Sequence, residues 1–241
     1  MTCFRLFSVR RLSSCSDDIL RFIRDNRAIS GSTVHKGTLY ELTVERELRR
    51  KLLMEQLNVV GGANDGGVDL TCKWPVGSIY KRCLARTVIS GPSLPMKGAR
   101  LNGRLIRPLI NQVAGTTSPS ALTIDGVVQC KAFTGKISPK EIRELAGTFL
   151  SLYPNRKSDG SGVAIMCSPH LLTPSSIKLI DQLSIPFLYL RIDTLRMLNS
   201  EDYDINNSGN LLGHMSNQVL KHYLAGTGFE EWMKFELYNE Y

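Results

Sequence analysis

Gly126-Val127-Val128-Gln129-Cys130-Lys131 is a short apolar run that ends in polar residues, the pattern of a buried strand whose last positions reach a site at the sheet edge. Downstream, Ser138-Pro139-Lys140-Glu141 supplies a capping hydroxyl, a proline at the first helical position and a glutamate at the third. Ile142, Leu145, Phe149 and Leu152 follow at helical spacing. Gly162 to Cys167 predicts a buried strand, Thr173-Pro174 opens a helix to about Leu183, and Ile185 to Leu190 predicts a further strand. Upstream, Thr38 to Leu57 carries Tyr40, Val44, Leu48 and Leu52 at four-residue spacing and predicts an amphipathic helix. Asn58-Val59-Val60, the glycine-rich turn GGAND and the alternating stretch from Gly67 to Trp74 predict a hairpin. The order α-β-β-β-α-β-α-β implies an α/β fold with a mixed central sheet flanked by helices. Its strand-helix-strand passages are parallel and right-handed, and its early hairpin is antiparallel.

Residues 75–123 are rich in Gly, Pro, Ser and basic side chains with weak periodicity, and they read as a basic insertion within a domain spanning 31–195. No acidic residue lies between Asp69 and Asp125, whereas Lys73, Lys81, Arg82, Arg86, Lys97, Arg100, Arg104 and Arg107 do. That segment alone matches the net charge of +8 carried by the 241 residues. Basic side chains gain affinity for phosphates by releasing condensed counterions, so a polyanionic partner is expected. Aromatic residues for base stacking are nearly absent from the segment, which favours backbone contacts over base reading. Cys3, Cys15, Cys72, Cys83, Cys130 and Cys167 form no Cys-x-x-Cys pair, so neither a zinc site nor a disulfide framework is indicated. No apolar run approaches the roughly 18 residues of a membrane span.

The N-terminal MTCFRLFSVRRLSSCS holds Arg5, Arg10, Arg11, several serines and no acid. It resembles a mitochondrial presequence, and we read residues 1–30 as presequence and N-terminal extension. Residues 196–241 turn polar and acidic and then aromatic. They read as a C-terminal extension whose last helix packs on the core.

Hydrolysing a phosphodiester requires a divalent cation on the phosphoryl oxygens, a nucleophilic water and a cation facing the charge of the transition state. Asp69, on the hairpin, is the best first ligand. Lys131 lies two residues after Gln129 and so shares its face of the strand, while the Cys130 side chain points away. Simpler readings stand beside these. Glu41 completes a capping box with Thr38, Asp65 suits a glycine-rich turn, and Glu144 suits a solvated helix face. Cys167-Ser168-Pro169-His170 suits a strand-end turn better than a nucleophile and base.

GTLYE (37–41), GGANDGGVDL (61–70), VVQCK (127–131) and the helix-strand segments that follow together resemble the PD-(D/E)XK nucleases. The likeness covers residues 37 to about 191 and is strongest to Mrr-like type II restriction enzymes and Holliday-junction resolvases. At closer range GTLYE, GGANDGGVD, WPV, VQCKAF, ELAGTF and MCSPHLLT resemble the fungal mitochondrial family named required for respiratory growth protein 7. The first resemblance implies a restriction-endonuclease-like fold and Mg²⁺ or Mn²⁺ as cofactor. It implies Asp69 as metal ligand, Gln129 at a position often held by Glu or Asp, Lys131 as catalytic lysine and Glu41 as the first-helix ligand. Gln129 departs from the carboxylate pattern, because an amide oxygen coordinates without charge and holds a metal more weakly. The implied function is metal-dependent phosphodiester hydrolysis or DNA binding in mitochondrial genome maintenance. The alternative is a catalytically inactive nucleic-acid-binding protein or a respiratory assembly factor.

Overall fold

The computed structural model describes residues 15–60, 67–91, 93–115, 122–132, 135–153, 162–199 and 202–238. Helix α1 covers residues 15–25. It is followed by α2 (Thr33–Leu52), β1 (Glu55–Val59), β2 (Leu70–Trp74), α3 (Val76–Ala85), β3 (Ala99–Leu101) and β4 (Arg104–Ile106). Then come β5 (Ile124–Cys130), α4 (Pro139–Leu152), β6 (Gly162–Ser168), α5 (Pro174–Gln182), β7 (Phe187–Ile192), β8 (Leu211–Ser216), α6 (Gln218–Tyr223) and α7 (Phe229–Tyr238).

Six strands form one sheet in the order β1-β2-β5-β6-β7-β8. The β5-β6 and β6-β7 pairs are parallel, and the β1-β2, β2-β5 and β7-β8 pairs antiparallel, as the expected mixed sheet requires. Alternation along β5 sorts the core into two layers. Val128 joins Leu70, Trp74, Ile165 and Leu188 beneath α2, while Val127 joins Ala164, Met166 and Phe187 against α4 and α5. The capping box read at Ser138 is present: Glu141 Oε2 accepts from Ser138 N at 2.9 Å, and the Ser138 hydroxyl accepts from Lys140 N.

Helix α2 starts and stops earlier than its apolar periodicity indicates. Ser32 is the N-cap, accepting from His35 N at 3.1 Å, because its hydroxyl satisfies an orphan amide one polar turn before the apolar stripe begins. Thr38 therefore sits inside α2, and the capping box with Glu41 is overturned. At the other end Leu53 turns left-handed at φ 59° and closes the helix. Two indoles then cover its last carbonyls: Trp74 Nε1 donates to Leu52 O at 2.9 Å and Trp232 Nε1 to Lys51 O at 2.7 Å.

The segment 75–123 contributes to the core. Helix α3 buries Val76, Ile79, Tyr80 and Cys83. The β3-β4 hairpin is tied down by Asn102 Nδ2, which donates to Asp181 O at 2.8 Å and Leu183 O at 2.7 Å. Those carbonyls precede β7, so the hairpin docks at the end of the parallel strands opposite Cys130.

The polar stretch before β8 is held by ions buried on α2. Arg46 (4% exposed) donates to Ile205 O at 2.5 Å, Ser208 O at 2.8 Å and Gly209 O at 2.9 Å. Its neighbour Glu47, fully buried, accepts from Leu211 N at 3.0 Å and lies 3.3 Å from both Arg46 Nε and Arg50 Nε. Gly209 has φ +71°, and a Cβ there would stand 2.6 Å from Thr43 Cγ2, so the loop approaches α2 too closely for any side chain. Helix α7 buries Phe229, Trp232 and Met233, and Lys51 Nζ meets Glu236 Oε2 at 3.3 Å. Residues 1–14, most of the stretch resembling a presequence, lie outside the described residues. Among the described residues no helix is long and apolar enough to cross a membrane.

His35 gives a pH test of the N-terminal packing. Its ring is 1% exposed, stacks on Phe22 at 5.0 Å and has neither nitrogen hydrogen-bonded. Burial pushes its pKa down. The unfolded chain therefore binds the proton more readily, and stability present above about pH 6.5 is lost as the pH falls below it. We expect His35→Phe to flatten the decline in Tm between pH 7 and pH 5. An unchanged slope would show that this ring does not set the acid response.

Candidate functional site

The carboxyl ends of β5, β6 and β7 form one edge of the sheet, and open α/β sheets bind ligands outside such ends. Asp69, just before β2, is fixed there from three directions. Its N–H donates to Val128 O at 3.0 Å, its carbonyl accepts from Val60 N at 2.9 Å, and its Oδ2 accepts from Cys130 N at 2.5 Å. Lys131 follows β5 and donates its N–H to Cys167 O at 2.9 Å, carrying the parallel ladder one step past the strand.

Glu41 arrives from the neighbouring layer. The preceding residue, Tyr40, is buried and donates its hydroxyl to Ile192 O at 2.9 Å. That bond pins α2, and with it the backbone of Glu41, to the end of β7. The Cys130 thiol registers the convergence. Burial raises its pKa well above the ordinary value, Cys167 and the carboxylates of Asp69 and Glu41 raise it further, and the Lys131 ammonium opposes them. Charges act measurably only over short range, so Glu41, Asp69 and Lys131 lie within electrostatic reach of Cys130. A thiol kept protonated in this way is a poor nucleophile. The same holds at fully buried Cys167, raised by burial and then by Cys72 and Asp69, which supports the turn reading of Cys167-Ser168-Pro169-His170.

Gln129 is 2% exposed, and its Oε1 has no hydrogen-bond partner. An orphaned buried acceptor costs about 1–3 kcal/mol. Gly67, at φ +82°, roofs it so closely that a Cβ would sit 3.0 Å from Gln129 Nε2. Among the described residues no three of His, Cys, Asp and Glu stand together as a metal-binding group. Asp69, Glu41 and Gln129 offer hard oxygens of the types that Mg²⁺ takes alongside water. Residues 61–66, with Asp65, lie outside the described residues.

The basic segment does not converge on this edge. Lys73 pairs with Asp125 at 2.5 Å, at the opposite end of the β2-β5 ladder, beside a cavity of about 350 Å³. Arg82 and Arg86 stack over Trp232, and Arg86 lies 4.4 Å from the Phe235 ring centroid, so they hold α7 to α3. Sequence reasoning passes over Arg191 at the end of β7. It carries the same signature as Lys131, a cation directly after an apolar strand run.

A family model described as required for respiratory growth protein 7 matches residues 32–224. The chain belongs to the required for respiratory growth protein 7 family. Its relatives named "Required for respiratory growth protein 7, mitochondrial" include one from Candida glabrata, 53% identical over 99% of this chain and 94% of its own length. One from Vanderwaltozyma polyspora is 42% identical over 98% and 94%, and one from Saccharomyces cerevisiae 38% identical over 91% and 90%. The match to the required for respiratory growth protein 7 family makes this a mitochondrial protein required for respiratory growth. No solved structure matches the chain.

Proposed function

We propose that the protein is a restriction-endonuclease-like, PD-(D/E)XK-type phosphodiesterase that acts on mitochondrial nucleic acid, DNA in the first instance, with Mg²⁺ or Mn²⁺. One observation supports the reading: the Asp69 carboxylate is bonded to Cys130 N at the end of the strand that carries the unsatisfied Gln129 Oε1 and runs on into Lys131, with Glu41 within electrostatic reach. Asp69, Glu41 and Gln129 would hold the cation, which when bound neutralises charge on the phosphoryl oxygens. Lys131 faces the negative charge that grows on those oxygens during displacement. The main-chain bond from Cys130 N fixes the Asp69 carboxylate in place. Burial on both faces of β5 keeps the edge rigid.

The test is thermal stability and DNA cleavage with and without millimolar Mn²⁺. Mn²⁺ is expected to raise Tm, since a ligand that binds only the native state stabilises it, and to permit cleavage of a DNA substrate. Gln129→Glu is expected to lower Tm without metal, because it buries an uncompensated carboxylate, and to gain more from Mn²⁺ than the unaltered protein does. No metal response in either protein would overturn the reading.

A second reading has its own support. The stacking of Arg82 and Arg86 and the docking of the β3-β4 hairpin away from the edge suit a non-catalytic binding or respiratory assembly factor. Its mark is metal-independent function that survives loss of Lys131.

A further inference from the structure

Three strand ends lie side by side at the proposed site. Ser168 on β6 is in register with Arg191 on β7, and Lys131 extends β5 one step past the Cys130-Cys167 pair. Lys131, Ser168 and Arg191 therefore form one row across three neighbouring strands. Alternation gives them the face shared by Gln129, Met166 and Tyr189 in the row behind. Ser168 is fully buried and its hydroxyl accepts from His170 N at 3.3 Å, so it shapes the turn rather than a ligand. Arg191 is half-buried and donates Nε to Pro169 O at 3.2 Å, and among the described residues it has no carboxylate partner. That bond uses Nε alone, and the two outer nitrogens of a planar guanidinium fork are suited to a phosphate. Two strand spacings, about 10 Å, separate the backbones of the two cations, and both side chains are long enough to reach neighbouring phosphates.

We propose that Arg191 is a second phosphate-binding residue, so that one nucleic-acid strand lies along the ends of β5, β6 and β7 with its backbone held by Lys131 and Arg191. This rests on the nucleic-acid reading above and adds the direction in which the strand runs. It also assigns the anion contact to the sheet edge instead of the basic segment 75–123.

The full-length protein is titrated with a short labelled DNA, single-stranded and duplex, in metal-free buffer over a range of salt. Each phosphate contact contributes about 0.7–0.9 to the slope of log affinity against log salt. Arg191→Gln is expected to lower the slope by about that much, equally for unrelated sequences, while Arg191→Lys retains it. A role confined to the Pro169 bond predicts instead that lysine fails as glutamine does, and that result overturns the proposal. In the unaltered protein, bound DNA is expected to shield Arg191 from an arginine-directed dicarbonyl reagent, read by mass spectrometry. Undiminished labelling overturns the proposal whatever the variants' stability. A slope that Lys131→Ala lowers and Arg191→Gln does not would sink this inference alone, and absence of any DNA binding would sink the nucleic-acid reading with it.

Discussion

Asp69→Asn and Lys131→Ala are each expected to slow metal-dependent DNA cleavage by about 10²–10³-fold or more, with Tm little changed. Asparagine keeps an oxygen to accept from Cys130 N, so the local geometry survives while the charge is lost. Alanine at 131 keeps the main-chain bond to Cys167 O and removes only the ammonium. Single-turnover cleavage with Mn²⁺ measures the chemical step. Circular dichroism melting confirms that the fold is intact. Cleavage that persists in both variants would place any nuclease centre elsewhere.

Arg46→Met is expected to destabilise the protein by about 3–5 kcal/mol. The loss has two parts. The carbonyls of Ile205, Ser208 and Gly209 each lose a charged donor, and fully buried Glu47 loses the more buried of its two cations, retaining the partly exposed Arg50. Urea denaturation at neutral pH reads the change as a shift in midpoint with an unaltered slope. The double variant Arg46→Met/Glu47→Leu is expected to fall short of the sum of its parts, because residues sharing one network couple. Additive losses would show that the two charges act separately.

How much was legible depended on whether a residue's partner lay nearby in the chain. The caps at Ser138 and Thr173 were readable because hydroxyl, proline and amide sit within one turn. The strands at β5 and β6 were readable because burial on both faces leaves an unbroken apolar run. Helix α2 was misplaced by five residues at each end. Its polar first turn hides the Ser32 cap, and nothing local announces the left-handed Leu53. Strand β8 was missed altogether, since Leu211–Ser216 lies at an edge and only its ends are buried. Arg46 and Glu47 look like ordinary helix charges until the loop 160 residues later folds onto them. The family pattern points to Asp69, Gln129 and Lys131, whereas the bond from Tyr40 that pins α2 to β7 joins residues 152 apart in the chain.

The indole of Trp232 that covers the end of α2 comes from α7, 181 residues further along the chain, and Glu236 beside Lys51 lies on the same helix. A chain that emerges from a ribosome or a translocation pore with its beginning first cannot finish α2 until Trp232 has followed it. For a mitochondrial protein, that ordering favours an open, threadable chain throughout passage and couples completion of the fold to arrival.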